Sequence, residues 1–182
     1  MATNVIIFVA LTFTSCGYNK PPNQPLADYV DMERFMGEWY VHGYTPTAID
    51  KNAFNATETY QQGDNDKILT TYQFNKGTPT GKLKTYKPVG EVFNHETNSE
   101  WRMKFFGLIN APYYIVYVDK DHEQTVIGHP NKKLAWIMNR SPNILEEDFA
   151  SLKKELEDRG YNLQKLTRVQ HTMDSTGKVS QP

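Results

Sequence analysis

The segment Gly37-Glu38-Trp39-Tyr40, continued by Val41-His42-Gly43-Tyr44-Thr45, predicts the first β-strand of an ordered domain. Aromatic and β-branched residues suit a pleated, half-buried surface. Pro46 follows directly and cannot donate to a strand ladder, so it marks the end of the strand. The rest of the fold can be worked out from this strand in both directions.

Downstream of this strand, short apolar segments alternate with turns rich in Gly, Pro, Asn and Asp. This rhythm predicts antiparallel strands joined by short connections. The fourth strand is expected to bend near Pro88 and Gly90. Eight is the number of strands that closes a small up-and-down barrel able to hold one ligand. The predicted strands are 38–45, 55–62, 67–75, 81–93, 99–106, 112–119, 124–128 and 133–139.

The apolar residues of the predicted strands indicate which faces are buried. Trp101, Met103 and Phe105 alternate with Arg102 and Lys104, which predicts one dry face and one wet face. The strands that contain residues 113–118 and 134–138 are apolar on both faces. Another element must therefore cover their outer face. The sequence does not decide which alternate residues of these strands point into the barrel.

The segment 144–159 supplies this cover as an amphipathic helix. Asn143 and Glu146 resemble a capping box, and Gly160 suits a left-handed C-terminal cap. Residues 163–169 predict one more extended segment. The stripe that faces the barrel is formed by Leu145, Phe149, Leu152 and Leu156.

At the other end of the chain, residues 5–13 form an apolar run too short to span a bilayer. The run matches the hydrophobic region of a secretory signal. Small residues directly before Cys16 resemble the bacterial lipoprotein cleavage site, in which the cysteine becomes the lipidated N-terminus. Acyl chains such as palmitate would then anchor the protein. A plain signal peptide is the alternative.

These features divide the chain into four parts. Residues 1–15 form the lipoprotein signal peptide, and 16–28 hold the lipidated Cys16 and a proline-containing flexible tether. Residues 29–171 form the barrel domain, and 172–182 a disordered tail. The fold class is therefore all-β, with an eight-stranded antiparallel barrel and one C-terminal helix packed outside.

Composition excludes several other classes of protein. The chain has 182 residues, a net charge of −1 and a single cysteine. It therefore has no intrachain disulfide and no cysteine-based zinc or iron–sulfur site. The balanced charge disfavours nucleic-acid binding. We find no catalytic or nucleotide motif and no histidine spacing typical of a metal site, so no cofactor and no metal are expected.

Three motifs in this order resemble the lipocalin family. They are the Gly-x-Trp of Gly37 and Trp39, the strand Tyr114-Ile115-Val116-Tyr117-Val118-Asp119, and Trp136-Ile137-Met138-Asn139-Arg140-Ser141-Pro142. The similarity is closest to bacterial lipocalins of the outer-membrane lipoprotein type. It implies that Arg140 packs over Trp39 and that residues 32–36 form a short 3₁₀ turn closing the barrel base.

The resemblance also implies a non-enzymatic carrier of a small hydrophobic ligand, with fatty acid and lysophospholipid as the expected ligands. The lipid anchor at Cys16 would hold the carrier in the cell envelope, at the outer membrane and facing the periplasm. The residues expected to face the ligand are Trp101, Met103, Phe105, Tyr113, Ile115, Tyr117, Trp136 and Met138.

Three questions stay open at the level of sequence. An enzyme on the same scaffold, an isomerase or a hydrolase, would need inward acidic or His groups with shifted pKa values. A tethered interaction module would instead have a filled barrel. The second question is whether the chain acts as a monomer or as a homodimer. The third is whether five cations lie at the pocket mouth or on a solvated outer face: Lys82, Lys84, Lys87, Arg102 and Lys104.

Overall fold

The fold is described from a computed structural model that covers residues 26–173 and 179. The predicted signal peptide and Cys16 lie outside these residues. The helices are α1 (Met32–Phe35) and α2 (Glu146–Asp158). The strands are β1 (Gly37–Tyr44), β2 (Ala53–Gln62), β3 (Lys67–Lys76), β4 (Leu83–Tyr86), β5 (Val89–Val92), β6 (Glu100–Phe105), β7 (Ile109–Val118), β8 (Gln124–Gly128), β9 (Ala135–Asn139) and β10 (Thr167–Arg168).

The strands form one closed antiparallel barrel. Apart from β4, the strands from β1 to β9 pair with their neighbours in chain order, and β1 pairs with β9 to close the ring. Both β4 and β5 pair with β3, so they are two halves of the predicted fourth strand. The break falls at Lys87 and Pro88, where proline removes a donor. The short β10 pairs with the end of β1, where Arg168 lies opposite Gly43 and Thr167 opposite Tyr44. The expected eight-stranded barrel with one outer helix is confirmed.

Two β-bulges change which residues point inward. One lies between Val41 and Gly43 in β1, and the other between Ile115 and Tyr117 in β7. An extra residue on one strand reverses the alternation of side chains beyond it. As a result Tyr44 returns to the barrel interior, whereas Tyr117 turns to the outside.

The apolar residues form two separate clusters on the two faces of the sheet. The interior cluster lies inside the barrel and includes Trp39, Trp101 and Met103. The outer cluster lies under α2 and includes Phe149, Leu152 and Leu156 together with Val116 and Ile137. The strands that were predicted to be apolar on both faces, β7 and β9, contribute to both clusters.

Helix α2 differs from its prediction at its first turn. It begins at Glu146 and has Leu145 as N-cap, with no side-chain cap hydrogen bond. The predicted capping box at Asn143 is therefore wrong. Asn143 lies before the helix, and its backbone N–H donates to Ser141 Oγ instead. Gly160 has a φ of +76° after the last turn, as a left-handed cap requires.

The chain on either side of the barrel also packs against it. Leu26 joins the outer cluster, and the Ala27 N–H donates to the Ile115 carbonyl. Beyond β10, Val179 is buried and forms an isolated antiparallel bridge with Met173. No helix within the described residues has the length and apolar content needed to cross a membrane.

Candidate functional site

The closed end of the barrel is built around Arg140. Its guanidinium lies 3.7 Å from the centre of the Trp39 ring. It donates to the carbonyls of Arg34, Met36, Glu38 and His122 at 2.6–3.2 Å. One planar fork thus joins α1, β1 and the loop between β7 and β8. The contact that the sequence resemblance implied is present.

Gly37 permits this arrangement. Its φ is +95°, and a Cβ there would lie 3.4 Å from the Arg140 guanidinium nitrogen Nη1. Glycine adopts this backbone conformation without steric cost. The expected 3₁₀ turn at residues 32–36 is a single α-helical turn, Met32–Phe35, capped by Asp31.

An aromatic plug fills the half of the barrel next to Arg140. We define it as Phe35, Trp39, Tyr60 and Trp101, whose neighbouring rings lie 5.0–5.6 Å apart. The indole N–H of Trp39 donates to the Phe35 carbonyl at 2.9 Å, and that of Trp101 donates to Asn98 at 2.8 Å. All four side chains are buried, so the plug closes the barrel interior at this end.

The other half of the barrel is hollow. It holds a cavity of about 380 Å³ that extends from the plug toward the open end. Its size lies within the range of small-molecule pockets. Three connections shape its rim: residues 47–50 after β1, residues 106–109 between β6 and β7, and His129 to Leu134 between β8 and β9. Phe106 and Ile109 line the cavity and are also exposed, at 65% and 59%.

Four of the eight predicted ligand-facing residues line this cavity: Met103, Phe105, Tyr113 and Trp136. Three others, Trp101, Ile115 and Met138, belong to the interior cluster but do not line the cavity. They pack in the filled part of the barrel instead, because a barrel this small closes around its own side chains there.

Tyr117 is not brought to the site. The bulge after Ile115 turns it outward, where it packs in the cluster under α2. Burial raises the pKa of its phenol, and Asp119 and Glu155 add to the shift. Glu155 belongs to α2, which agrees with a side chain that faces the helix. The prediction placed Tyr117 on the same face as Tyr113 because it assumed regular alternation along the strand, without the bulge.

A carboxyl group that was not predicted from the sequence, that of Glu58, lies at the floor of the cavity. Glu58 stands opposite Trp39 in the β1–β2 ladder and therefore points inward. Tyr60 and Tyr113 both donate to Glu58 Oε2, the latter at 3.0 Å, and the two phenols also contact each other. Burial raises the pKa of Glu58, although the two tyrosine hydrogen bonds oppose the shift.

A second carboxylate, Asp50, lies on the wall of the cavity near its rim. Its Oδ1 accepts from the N–H and hydroxyl of Thr47 at 2.6 and 2.7 Å, and its Oδ2 accepts from Tyr72 at 3.3 Å. The Tyr44 hydroxyl donates to the Asp50 carbonyl at 2.8 Å. Asp50 is thus held by three elements and fixes the loop after β1.

Burial keeps the phenols around these carboxylates protonated. It raises the pKa of Tyr60, Tyr72 and Tyr113 well above the usual range, and the neighbouring carboxylates act in the same direction. Each phenol therefore remains a hydrogen-bond donor.

His129 is the cavity-lining histidine. Burial lowers its pKa, and its Nδ1 accepts from the Asn131 N–H at 3.2 Å. The neutral ring then carries its proton on Nε2. Among the described residues, no group of three or more His, Cys, Asp or Glu side chains is placed to hold a metal ion.

The sequence left open whether five basic side chains lie at the pocket mouth or on the outer face. None of them lines the cavity. Arg102 lies over the Phe93 ring and pairs with Glu100 at 2.6 Å, and Lys104 is exposed on the outer face of β6. Lys84 stands opposite Phe74 in the β3–β4 ladder, so it shares the inner face near the rim. Lys82 and Lys87 lie outside the cavity lining.

Among the cavity-lining residues missed from the sequence are its two carboxyl groups, Glu58 and Asp50, and its histidine, His129. Glu58 sits between Thr57 and Thr59 in a strand of mixed polarity, where alternation alone does not choose the inward face. The one feature of the sequence that could have indicated its inward face is that it lies two residues before Tyr60 in the same strand, and such residues share a face. The side chain of Asp50 points into the cavity because of the conformation of its loop, and the periodicity of a sequence does not predict loop conformations.

Known proteins resemble this chain in both sequence and structure. Residues 30–171 match the family model described as a lipocalin-like domain. Temperature-induced lipocalin-1 of Arabidopsis thaliana is 24% identical and covers 77% of this chain and 78% of its own. Outer membrane lipoprotein Blc of Citrobacter freundii is 21% identical over 90% and 92% of the two chains. Apolipoprotein D of Mus musculus is 23% identical over 92% and 90%.

Solved structures agree in fold. The structure of insecticyanin from the tobacco hornworm Manduca sexta superposes with a TM-score of 0.64 at 16% identity, covering 87% of this chain and 88% of that one. Lobster apocrustacyanin A1 gives a TM-score of 0.60 at 11% identity, covering 77% and 79%. With the family model matching most of the chain, and with the barrel, the Trp39–Arg140 contact and the outer helix in place, the chain belongs to the lipocalin family.

Proposed function

We propose that this lipocalin binds a small hydrophobic ligand, one that carries an acyl or similar apolar chain, in the cavity at the open end of its barrel. The observation that supports this proposal is the cavity of about 380 Å³, walled by Met103, Phe105, Ile109 and Trp136. Moving each buried CH₂ group of a ligand out of water contributes roughly 0.8 kcal/mol. Fatty acid and lysophospholipid, the ligands expected from the sequence, are both of this kind.

Blocking the cavity tests the proposal. Ala111 lines the cavity, whereas its neighbour Asn110 is exposed and stands opposite the outward Lys104. In the parent protein, lysophospholipid should displace the apolar dye N-phenyl-1-naphthylamine from the cavity. Ala111→Trp should fill the cavity, so that neither the dye nor its displacement by lysophospholipid is detected. Asn110→Trp adds the same bulk on the other face and should leave the displacement intact. The proposal fails if the purified full-length chain, stripped of lipid, does not bind the dye, or if both variants bind it as well as the parent.

We also propose that Cys16 tethers the protein to a membrane as a lipoprotein of the cell envelope, at the outer membrane and facing the periplasm. The run of residues 5–13 and the small residues before Cys16 support this. Outer membrane lipoprotein Blc is a relative over 90% of the chain. Cys16→Ser should move the protein from the membrane fraction to the soluble fraction. Retention of the variant in the membrane would contradict lipidation at this residue.

An enzymatic alternative is favoured by one observation, the position of Glu58 and His129 in the cavity with pKa values shifted by burial. Shifted acids and bases in a pocket are typical of catalytic sites. The two functions differ in the fate of the ligand. A carrier returns it unchanged, so mass spectrometry of ligand recovered after prolonged incubation separates carrier from isomerase or hydrolase.

A further inference from the structure

We propose that Glu58 forms a recognition site at the floor of the cavity for a ligand end that donates a hydrogen bond, a hydroxyl or an ammonium group, and that it excludes a carboxylate from this position. The inference rests on the proposed ligand binding and specifies the end-group chemistry of the ligand. It places the donor end of the ligand innermost and the apolar chain toward the rim. It also ranks a fatty acid below an alcohol of the same length.

The carboxyl group of Glu58 has one oxygen available for a ligand. Tyr60 and Tyr113 both donate to Oε2. Among the described residues, none donates to Oε1. The Glu58 side chain lines the cavity and keeps partial exposure there, so Oε1 can be reached by a ligand in that space.

The tyrosines hold this acceptor in place. Tyr113 stacks on Trp101 of the plug with ring centres 5.7 Å apart, and Tyr60 packs edge-on against the same indole at 5.6 Å. Both phenols direct their protons to the carboxyl group. A ligand therefore meets a fixed acceptor, and a fixed acceptor costs little entropy to engage.

The charges around the cavity favour the same end groups. Two carboxyl groups, Glu58 and Asp50, line it, and of the described residues that line it none is Lys or Arg. Burial lowers the pKa of His129, so this ring does not supply a compensating positive charge at neutral pH. A ligand carboxylate at the floor would be desolvated beside a second carboxyl group with no cation to pair with it.

A hydroxyl or ammonium end meets the opposite situation. A hydroxyl can donate to Oε1 of ionised Glu58, or accept its proton when Glu58 is protonated, and an ammonium group donates to the ionised form. The ammonium gains further from an ionised Glu58 through a charge-assisted hydrogen bond. The chain of the ligand then lies along Met103, Phe105 and Trp136 toward the rim.

Three ligands of equal chain length test the inference: dodecanol, dodecylamine and dodecanoate, each displacing N-phenyl-1-naphthylamine from the full-length chain at pH 7.4. We expect dodecanol and dodecylamine to bind at least tenfold more tightly than dodecanoate. In Glu58→Gln, whose amide can donate to a carboxylate, the difference should fall below threefold. Glu91→Gln removes one charge from exposed β5, where Glu91 pairs with Lys67, and should keep the full difference.

The outcomes separate the two proposals. If the dye binds but dodecanoate equals or exceeds dodecanol in the parent protein, the Glu58 inference is overturned and ligand binding stands. If Glu58→Gln keeps the tenfold difference, the selectivity comes from elsewhere and the inference is likewise overturned. If neither the dye nor any of the three ligands binds, both proposals fail. The parent series decides the question even where Glu58→Gln does not fold.

Discussion

Arg140 joins several segments of the chain at the closed end. Its five N–H groups reach four backbone carbonyls while the guanidinium face covers Trp39. A lysine has neither the planar fork nor the number of donors to replace this set. The bonds to Met36 and His122 are partly buried, whereas those to Arg34 and Glu38 are exposed. A buried carbonyl left without a donor costs about 1–3 kcal/mol.

We therefore expect Arg140→Lys to lower the free energy of unfolding by about 2–4 kcal/mol in urea titrations. Arg159→Lys provides the control, since Arg159 forms an i,i+4 pair with Glu155 on α2 and should change stability by under about 0.5 kcal/mol. Equal effects of the two substitutions would show that charge, and not the fork geometry, is what matters at residue 140.

A second prediction at this scale concerns pH. His171 lies 4.9 Å from His42, ring to ring, on the outside of the barrel, and Arg168 lies near His42. Burial lowers the pKa of His171 from 6.5 to about 4, and the nearby His42 adds to the shift. The folded state thus binds fewer protons than the unfolded state between these values, so stability must fall as the pH drops below about 6.5.

For His171 alone the loss between pH 7 and pH 5 is about 1–2 kcal/mol. His171→Asn should flatten this part of the stability profile, measured by urea unfolding at each pH. His95 lies in an exposed loop, and His95→Asn should leave the slope unchanged. A profile equally steep in His171→Asn would assign the slope to other groups.

At the scale of elements, α2 covers strands that would otherwise expose apolar side chains. Leu152 is 1% exposed against β8 and β9, whereas Leu145, just before the helix, is 63% exposed. We expect Leu152→Ala to cost about 2–4 kcal/mol of unfolding free energy and Leu145→Ala under about 0.5 kcal/mol. Thermal unfolding followed by circular dichroism measures both. A similar cost at the two positions would contradict the packing of α2 described above.

The sequence predicted these elements well where periodicity decides the matter. The strand rhythm, the stripe on α2 and the wet and dry faces of β6 follow from alternation or from the 3.6-residue period, and each has its place in the structure. The exception is Leu145, which was predicted to belong to the stripe but lies before α2 and is exposed. The prediction failed where one residue breaks the period. The bulge after Ile115 moves Tyr117 outward, and the first turn of α2 starts after Asn143 because the chain turns through Ser141 first.

The same reasoning explains why the candidate site was only partly predicted. Met103, Phe105, Tyr113 and Trp136 were named because bulky apolar residues on an inward face are visible in sequence. The interior is divided into a plug and a cavity by contacts between side chains from distant strands. A local sequence pattern does not predict such contacts. Glu58 was missed for this reason, since only the pairing of β2 with β1 turns it inward.

At the scale of the whole molecule, ligand binding and folding are linked. The cavity exists only in the folded barrel, so a ligand that fills it stabilises the fold by RT ln(1 + [L]/Kd). At a free dodecanol concentration of 100 Kd we expect a gain of about 2.7 kcal/mol and a higher Tm in calorimetry. Ala111→Trp should show no such gain. A gain of equal size in that variant would place the ligand outside the cavity.

The contrast between the aromatic plug and the cavity has a mechanical consequence. Hydrostatic pressure favours states that eliminate internal void, and the cavity described above lies at one end of the barrel. Compression should therefore hydrate the end near Trp136 first, while Trp39 and Trp101 stay dry in the plug. We therefore expect the barrel to be more compressible at the end where a ligand enters than at the end that Arg140 closes.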